Sequence, residues 1–140
     1  MSPAPDRLGL TRVAFGCRSL EELAAARDRF ALTLADGSRV GRIGSARRPR
    51  EADRLVGGRL FWIIRHTLVA RQTILDVVDG PEGGCEIRLD LEIVPVEPRA
   101  RRAHQGWRYL APADWPPDAG SGGAALPPAL AAELAALALL

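Results

Sequence analysis

Charged and apolar side chains alternate without exception from residue 86 to residue 93. The apolar members of this run are Ile87, Leu89, Leu91 and Ile93. Because successive side chains of a β-strand point to opposite faces, the run predicts a strand with one buried and one wet face. We expect it to span residues 85–94 and to end there, since Pro95 and Pro98 cannot donate to a sheet. The chain therefore needs a fold in which a sheet packs on a core.

Other segments are predicted to join this strand. Residues 60–64 are apolar at five consecutive positions, which is typical of a strand covered on both faces, although a buried helix fits the same run. β-branched residues become frequent over residues 71–78, and the turn residues 81–84 connect that segment to the alternating strand as a hairpin. Shorter strand patterns lie at residues 10–17 and 105–110. A mainly antiparallel sheet is expected.

A capping box marks the start of a helix. Ser19 is the expected N-cap, and Glu22 follows three residues later. Apolar residues then recur at helical spacing until Gly37, where we expect the helix to end. Residues 37–49 have no period and contain three glycines, so they are predicted to form a loop.

A second, shorter helix is predicted over residues 50–56. Pro49 suits its first turn because proline lacks the N–H that a helix start leaves unpaired. Gly57 and Gly58 suit its C-terminal end. Together with the strands, these helices predict an α+β fold with a small, mainly antiparallel sheet, for which a barrel is one form.

The chain length predicts one domain over residues 1–118, since 140 residues can bury a single core without disulfides or metal. Residues 116–128 resemble a flexible linker, and residues 129–140 a short Ala/Leu-rich helix, so residues 119–140 are expected to form an appendage. Cys17 and Cys85 belong to no CxxC pair, and no apolar signal core is visible. A cytoplasmic location is therefore expected.

All 19 basic residues are arginine, and they cluster. Residues 39–71 hold nine arginines, residues 99–108 hold four beside aromatic residues, and residues 76–97 hold seven acids with one arginine. A GC-rich coding sequence would explain the choice of arginine over lysine, but it explains the clustering less well. Guanidinium groups and aromatic rings suit phosphates and bases. The pattern therefore indicates an anionic partner.

The candidate anion-binding or nucleic-acid-binding residues come from both basic stretches: Arg47, Arg48, Arg50, Arg65, Arg71, Arg101, Arg102, His104, Gln105, Trp107, Arg108 and Tyr109. In this hypothesis the arginines of residues 47–50 hold phosphates, while Trp107 or Tyr109 stacks a base beside Arg108. In the alternative interpretation, the tryptophans belong to the core and the arginines pair with the acidic hairpin.

No catalytic residue, metal ligand set or cofactor motif is predicted. His104 lies near Arg101 and Arg102, which would lower its pKa if they are close in space. The leading interpretation is a non-catalytic module that binds RNA or another polyanion. The first alternative is a small enzyme acting on a nucleotide or nucleobase near His104 and Arg108. The second is a protein-interaction subunit or homodimer that uses the acidic hairpin and the C-terminal helix.

Four motifs resemble those of a family of small bacterial proteins, domain-of-unknown-function family 1489. They are GGRLFWIIR at residues 57–65, ARQTILD at 70–76, VPVEPR at 94–99 and QGWRYL at 105–110. With the capped helix, the resemblance covers residues 10–118, and it implies no activity or site residue. Arg65 and His66 stand where the family pattern has Lys-Gly, so no glycine is present there for a tight turn.

The order of elements is similar, at the level of fold alone, to small barrels of the pseudouridine-synthase-and-archaeosine-transglycosylase (PUA) type and their ASCH and EVE relatives. Many of those barrels bind RNA or modified bases. This likeness implies a barrel-like sheet and, since one fold serves many functions, only a weak expectation of RNA binding.

Overall fold

The computed structural model describes residues 7–80 and 84–119. The strands are β1 (Gly9–Val13), β2 (Leu32–Thr33), β3 (Arg39–Ser45), β4 (Arg59–Ile64), β5 (Thr67–Asp79), β6 (Cys85–Leu89), β7 (Val94–Ala100) and β8 (Trp107–Leu110). The helices are α1 (Leu20–Phe30) and α2 (Ala52–Leu55), and a 3₁₀ turn follows at Pro112–Asp114. The predicted α+β class is confirmed.

The strands form one mixed sheet in the order β2-β3-β6-β5-β4-β1-β8. The pair of β1 and β4 is parallel, and the other pairs of the described strands are antiparallel. β5 pairs with β4 along one edge, whereas its other edge takes β7 near the start and β6 near the end. The sheet is open, so the barrel prediction is wrong. A barrel requires its two outer strands, here β2 and β8, to pair with each other. Among the described strands, β2 has only two residues and pairs with β3 alone, and β8 pairs with β1 alone.

The central strand β4 is buried on both faces, as its apolar run predicts. One face carries Leu60, Trp62 and Ile64 and packs with α1 and α2 in the main core. The other face carries Phe61 and Ile63, and Trp115 packs against it. The sheet therefore separates two cores, and neighbouring residues of one strand serve different faces.

The capping box of α1 is confirmed, but the predicted end of the helix at Gly37 is wrong. Ser19 Oγ accepts a hydrogen bond from the Glu22 N–H at 3.1 Å. The helix ends at Phe30, because Leu32–Thr33 pairs with β3 in a hairpin. Asp36-Gly37 forms its turn, and Asp36 Oδ1 accepts from the Ser38 N–H at 2.9 Å.

The loop predicted over residues 37–49 is wrong in its first half, which contains β3. Five residues of β3 pair with β6. Glycine obscured the strand pattern here, yet the packing explains Gly41: a Cβ on this residue would lie 3.2 Å from Gln72 Nε2. The short helix after Pro49 is confirmed, although it begins at Ala52, and Gly57 ends it with φ +85°.

The alternating strand is shorter than predicted. β6 ends at Leu89 because the chain turns at Asp90, whose N–H donates to the Thr73 carbonyl at 2.9 Å. Val94–Ala100 then forms β7, a strand that the sequence analysis does not predict. β7 is an edge strand that pairs with β5 alone among the described strands, so Pro95 and Pro98 are tolerated.

The predicted linker is wrong for residues 116–118, which pack on the sheet. Pro116 is buried, and Asp118 forms a bridge with Val96 of β7. The turn at residues 81–83 and the helix predicted over residues 129–140 lie outside the described residues. None of the helices in the described ranges is long and apolar enough to cross a membrane.

Candidate functional site

The two basic stretches meet through β8. Trp107 Nε1 donates a hydrogen bond to Ser45 Oγ at 3.0 Å, and the Tyr109 hydroxyl accepts from the Glu51 N–H at 3.1 Å. Ser45 and Glu51 flank the arginine-rich segment 46–50, which we call the basic loop. The rings of Trp107 and Tyr109 also contact each other edge to face, with centroids 5.0 Å apart. The structure therefore places an aromatic pair against the basic loop.

The pairing of β8 with β1 explains which aromatic side chains reach the loop. Trp107 lies opposite Arg12 and Tyr109 opposite Leu10, so both project to the face that carries the main core. Arg108 lies between them, opposite Thr11, and projects to the other face. Arg108 therefore points away from the face on which the hypothesis stacks a base on Trp107 or Tyr109.

Two arginines of the basic loop have uncommitted side chains. Arg47 and Arg50 are exposed, and their guanidinium groups make no hydrogen bond or ion pair with the residues the structure describes. Arg48 donates to the Val77 carbonyl at 3.2 Å and lies 3.4 Å from Asp79 Oδ1. Since Asp79 is 85% exposed, solvent weakens that ion pair. Asp79 of β5 thus neutralises Arg48 in part, and among the described residues no carboxylate pairs with Arg47 or Arg50.

The aromatic residues are only partly available to a ligand. Trp107 is half-buried against the main core, whereas Tyr109 is 36% exposed. Trp62 is buried, as the alternative interpretation predicts. A base could therefore stack on Tyr109 at the edge of the basic loop, but Trp107 serves mainly to support it.

Arg71 lies away from the basic loop, on the opposite face of the sheet. Its guanidinium binds both carboxylate oxygens of Asp118, at 2.7 and 2.8 Å. Arg59 approaches the same carboxylate at 3.8 Å and lies over the Trp115 ring. The hydrogen bond from Arg71 is the main cause that lowers the pKa of Asp118. Arg71 therefore ties residue 118 to β5, and the structure gives no support to its candidate binding role.

Arg65 and His66 form the tight turn between β4 and β5 without glycine. Their φ angles are +51° and +59°, a left-handed conformation that costs energy for residues with a side chain. Two hydrogen bonds to His66 help to offset this cost. Its carbonyl accepts from the Arg101 N–H at 2.8 Å, and its Nδ1 accepts from the Ala103 N–H at 3.1 Å. The segment that carries Arg101 is thus attached to this turn, while Arg102 and Gln105 are exposed.

His104 is held by β1. Its Nε2 and the Thr11 hydroxyl oxygen are 2.8 Å apart. The pKa of His104 is lowered, as predicted, but burial is the main cause, and Arg108 and Arg101 contribute rather than Arg102. The described residues include no group of three or more His, Cys, Asp or Glu side chains that could hold a metal ion.

A cavity of about 470 Å³ lies between α1 and the sheet, and we call it the α1 cavity. Neither His104 nor Trp107 lines it. Its apolar wall includes side chains from α1, β3, β4 and β6, namely Leu23, Ile43, Trp62 and Leu89. Three arginines that the sequence interpretation missed also line it: Arg12, Arg27 and Arg42.

A sequence signal for Arg12 was present. Leu10, Arg12 and Ala14 occupy every second position, and Leu10 and Ala14 are buried in the main core. The strand pattern therefore places the charge of Arg12 on the buried face. A charged residue in such a position is costly unless a partner or a cavity compensates. That conflict in the pattern could have identified the α1 cavity.

The model of a family described as "protein of unknown function (DUF1489)" matches residues 10–140. The match confirms the resemblance seen in the four motifs. It also extends through the C-terminal segment, so the predicted limit of the resemblance at residue 118 is wrong. No curated protein and no solved structure matches the chain.

Proposed function

The chain belongs to the DUF1489 family of proteins of unknown function, and we propose that it is a non-catalytic module that binds single-stranded RNA. One observation carries this proposal. The uncommitted guanidinium groups of Arg47 and Arg50 lie on a loop that is hydrogen-bonded to a partly exposed aromatic pair. Phosphate-binding forks beside a stacking surface suit a strand whose bases are unpaired.

The phosphates are assigned to the basic loop. Arginine offers a planar fork of donors that matches two phosphate oxygens. Arg47 and Arg50 are exposed, and Arg48 can exchange its screened contact with Asp79 for a phosphate. Three neighbouring cations would then follow the backbone of the strand.

The base is assigned to Tyr109. Its ring is held from both sides, because the hydroxyl accepts from Glu51 and the ring meets Trp107 edge to face. A ring that is already fixed loses little conformational entropy on binding. Tyr109 therefore supplies a prepared surface for one unpaired base.

The other predictions have less support. His104 and Trp107 do not share the α1 cavity, so no observation favours an enzyme acting on a nucleobase. The interaction subunit and the homodimer depend on residues 119–140, most of which lie outside the described ranges. No comparison supports the likeness to PUA-type barrels, and the sheet is open. A cytoplasmic location is part of the proposal.

The test is fluorescence anisotropy of a labelled 12-nucleotide single-stranded RNA at several salt concentrations. We expect Arg47→Gln/Arg48→Gln/Arg50→Gln to weaken binding at least about tenfold and to reduce the salt slope by about 2, which corresponds to three lost phosphate contacts. The matched control is Arg18→Gln/Arg29→Gln/Arg39→Gln, which removes the same charge from α1 and its surroundings. Equal losses in the two variants would contradict the proposal.

A second pair of variants separates RNA from other polyanions. Tyr109→Ala should weaken RNA binding about tenfold, because base stacking on an aromatic side chain contributes about 1–3 kcal/mol. Tyr109→Phe keeps the ring and its contact with Trp107 but loses the hydrogen bond from Glu51, so RNA binding should weaken much less than in Tyr109→Ala. Heparin has no bases, so its affinity should not change in Tyr109→Ala. Parallel losses for RNA and heparin would show that Tyr109 does not stack a base.

A further inference from the structure

We propose that the α1 cavity is a second binding site, which takes a small organic anion with an apolar body and places the anionic group on Arg12. This inference goes beyond the proposed RNA binding. The volume of about 470 Å³ lies within the range of about 300–1,000 Å³ that is typical of small-molecule sites.

The floor of the α1 cavity favours an apolar body. Trp62 and Leu89 form part of it, and both are buried. The polar atoms there are already satisfied, because Gln72 Oε1 accepts from Trp62 Nε1 and Gln72 Nε2 donates to the Asp90 carbonyl, each at 2.8 Å. Each of these polar atoms already has a partner, so a ligand on the floor gains most from apolar contact.

The rim of the α1 cavity is positive. Arg12, Arg27 and Arg42 line it, and Glu86 is the one carboxylate among its described lining residues. Glu86 is occupied, since Arg42 lies 3.3 Å and Arg88 3.1 Å from its oxygens. The field inside the cavity thus favours a negative group.

Arg12 is the cation best prepared to receive that group. It is half-buried, and its hydrogen bond from Nη1 to the Gly44 carbonyl is long, at 3.3 Å. Among the described residues it has no ion-pair partner, and burial alone lowers its pKa. Arg27, in contrast, already donates to the Leu91 carbonyl at 2.8 Å and pairs with Asp28. Arg12 therefore keeps most of its five donors for a ligand.

Two exposed phenylalanines extend the apolar surface at the mouth. Phe15 is 67% and Phe30 55% exposed, and both line the α1 cavity. Phe15 lies in the turn before α1, and Phe30 is the last residue of α1. An apolar body that covers these rings removes them from water, which is favourable in proportion to the area covered.

The probe is 1-anilinonaphthalene-8-sulfonate, an aromatic sulfonate whose fluorescence rises in apolar sites, titrated into the full chain. The neutral N-phenyl-1-naphthylamine has nearly the same body without the charge. Arg12→Leu should weaken binding of the sulfonate at least about tenfold, since charge-assisted hydrogen bonds are lost. The same variant should change binding of the neutral probe less than about twofold. A sulfonate affinity within twofold of the wild type would overturn the assignment of Arg12.

A filling variant tests the α1 cavity itself. Ala26 lies on α1 and lines the cavity, so Ala26→Phe should occupy the space and reduce binding of both probes at least about tenfold. The matched control for Arg12→Leu is Arg39→Leu, which removes an exposed arginine of β3 that does not line the cavity. This control should bind both probes like the wild type. Unchanged binding in a folded Ala26→Phe protein, verified by circular dichroism, would place the probes elsewhere and overturn the proposal.

Discussion

Arginines on the two faces of the sheet differ in their side-chain partners. On one face, Arg71 and Arg59 converge on Asp118, and the cluster attaches the segment after the 3₁₀ turn to β5. On the other, Arg47 and Arg50 on the basic loop have no side-chain partner among the described residues. The residue type is the same, but only the first pair is neutralised by the protein itself.

This difference shows why a count of arginines does not separate the available side chains from the neutralised ones. The partner of Arg71 lies 47 positions along the chain, in a segment interpreted as a linker. Once Asp118 is placed beside it, Arg71 has fewer donors left for a ligand. An arginine is fully available for binding only where the fold brings no carboxylate to it, and an exposed carboxylate such as Asp79 holds Arg48 only weakly.

The largest effect is expected from breaking the neutralised cluster. Asp118→Asn keeps the size of the side chain but leaves Arg71 and Arg59 without a negative partner. The free energy of unfolding should fall by about 2 kcal/mol, below the 3–5 kcal/mol typical of fully buried pairs because the cluster is partly exposed. Urea denaturation measures it. A change under about 0.5 kcal/mol would mean that residue 118 does not anchor the chain.

The same cluster predicts an acid dependence. Arg71 lowers the pKa of Asp118 below its ordinary value of 3.8, so the unfolded chain takes up the proton at a higher pH than the folded one. The contribution of Asp118 to stability is therefore present above pH 3.8 and is lost as the pH falls through its folded pKa. Urea midpoints of the wild type and Asp118→Asn should differ by a constant amount between about pH 5 and 7 and converge at lower pH. A constant difference down to the lowest pH would contradict the assignment.

Changes in the basic loop should alter RNA affinity but not the free energy of unfolding. Arg47→Gln/Arg50→Gln should weaken RNA binding about fivefold to tenfold, which is about 1–1.4 kcal/mol. Its free energy of unfolding should not change, because neither side chain has a partner among the described residues. Arg71→Lys should do the opposite, with lower stability and unchanged RNA affinity. Anisotropy and urea denaturation of the two variants together decide whether the two faces differ as described.

The smallest effect is expected at the ion pair between the basic loop and the hairpin. Asp79→Asn removes the partner of Arg48, but Asp79 is 85% exposed. Exposed pairs contribute about 0–1 kcal/mol, so the free energy of unfolding should change by less than about 0.5 kcal/mol. RNA affinity should rise slightly because a competing carboxylate is gone. A loss of RNA affinity in the anisotropy assay would show that Arg48 must be held by Asp79 in order to bind.

Local signals were sufficient for several elements. The Ser19 and Glu22 capping box, the apolar run of β4 and the alternation in β6 involve neighbours in sequence, and each predicted its element. The helix end failed because pairing of Leu32–Thr33 with β3 replaced the last predicted turns. β3 itself was missed since Gly41 and Gly44 interrupt its apolar pattern.

Part of the candidate site was visible in the sequence. The cluster of charges alone identifies the basic loop, but the sequence does not show its proximity to Trp107 and Tyr109. The structure brings them together through Ser45 and Glu51. Arg12 was missed, because a strand pattern shows that a charge faces inward but not that a cavity receives it.

By itself, the sequence determined the α+β class, the capped helix, the central apolar strand and the presence of two basic stretches. These follow from backbone geometry and side-chain period, which act between residues close in the chain. Only the tertiary structure decided that the sheet is open, that Asp118 neutralises Arg71 and Arg59, and that Arg12 faces a cavity. Desolvation and ion pairing depend on distance in space, and residues far apart in the chain set that distance.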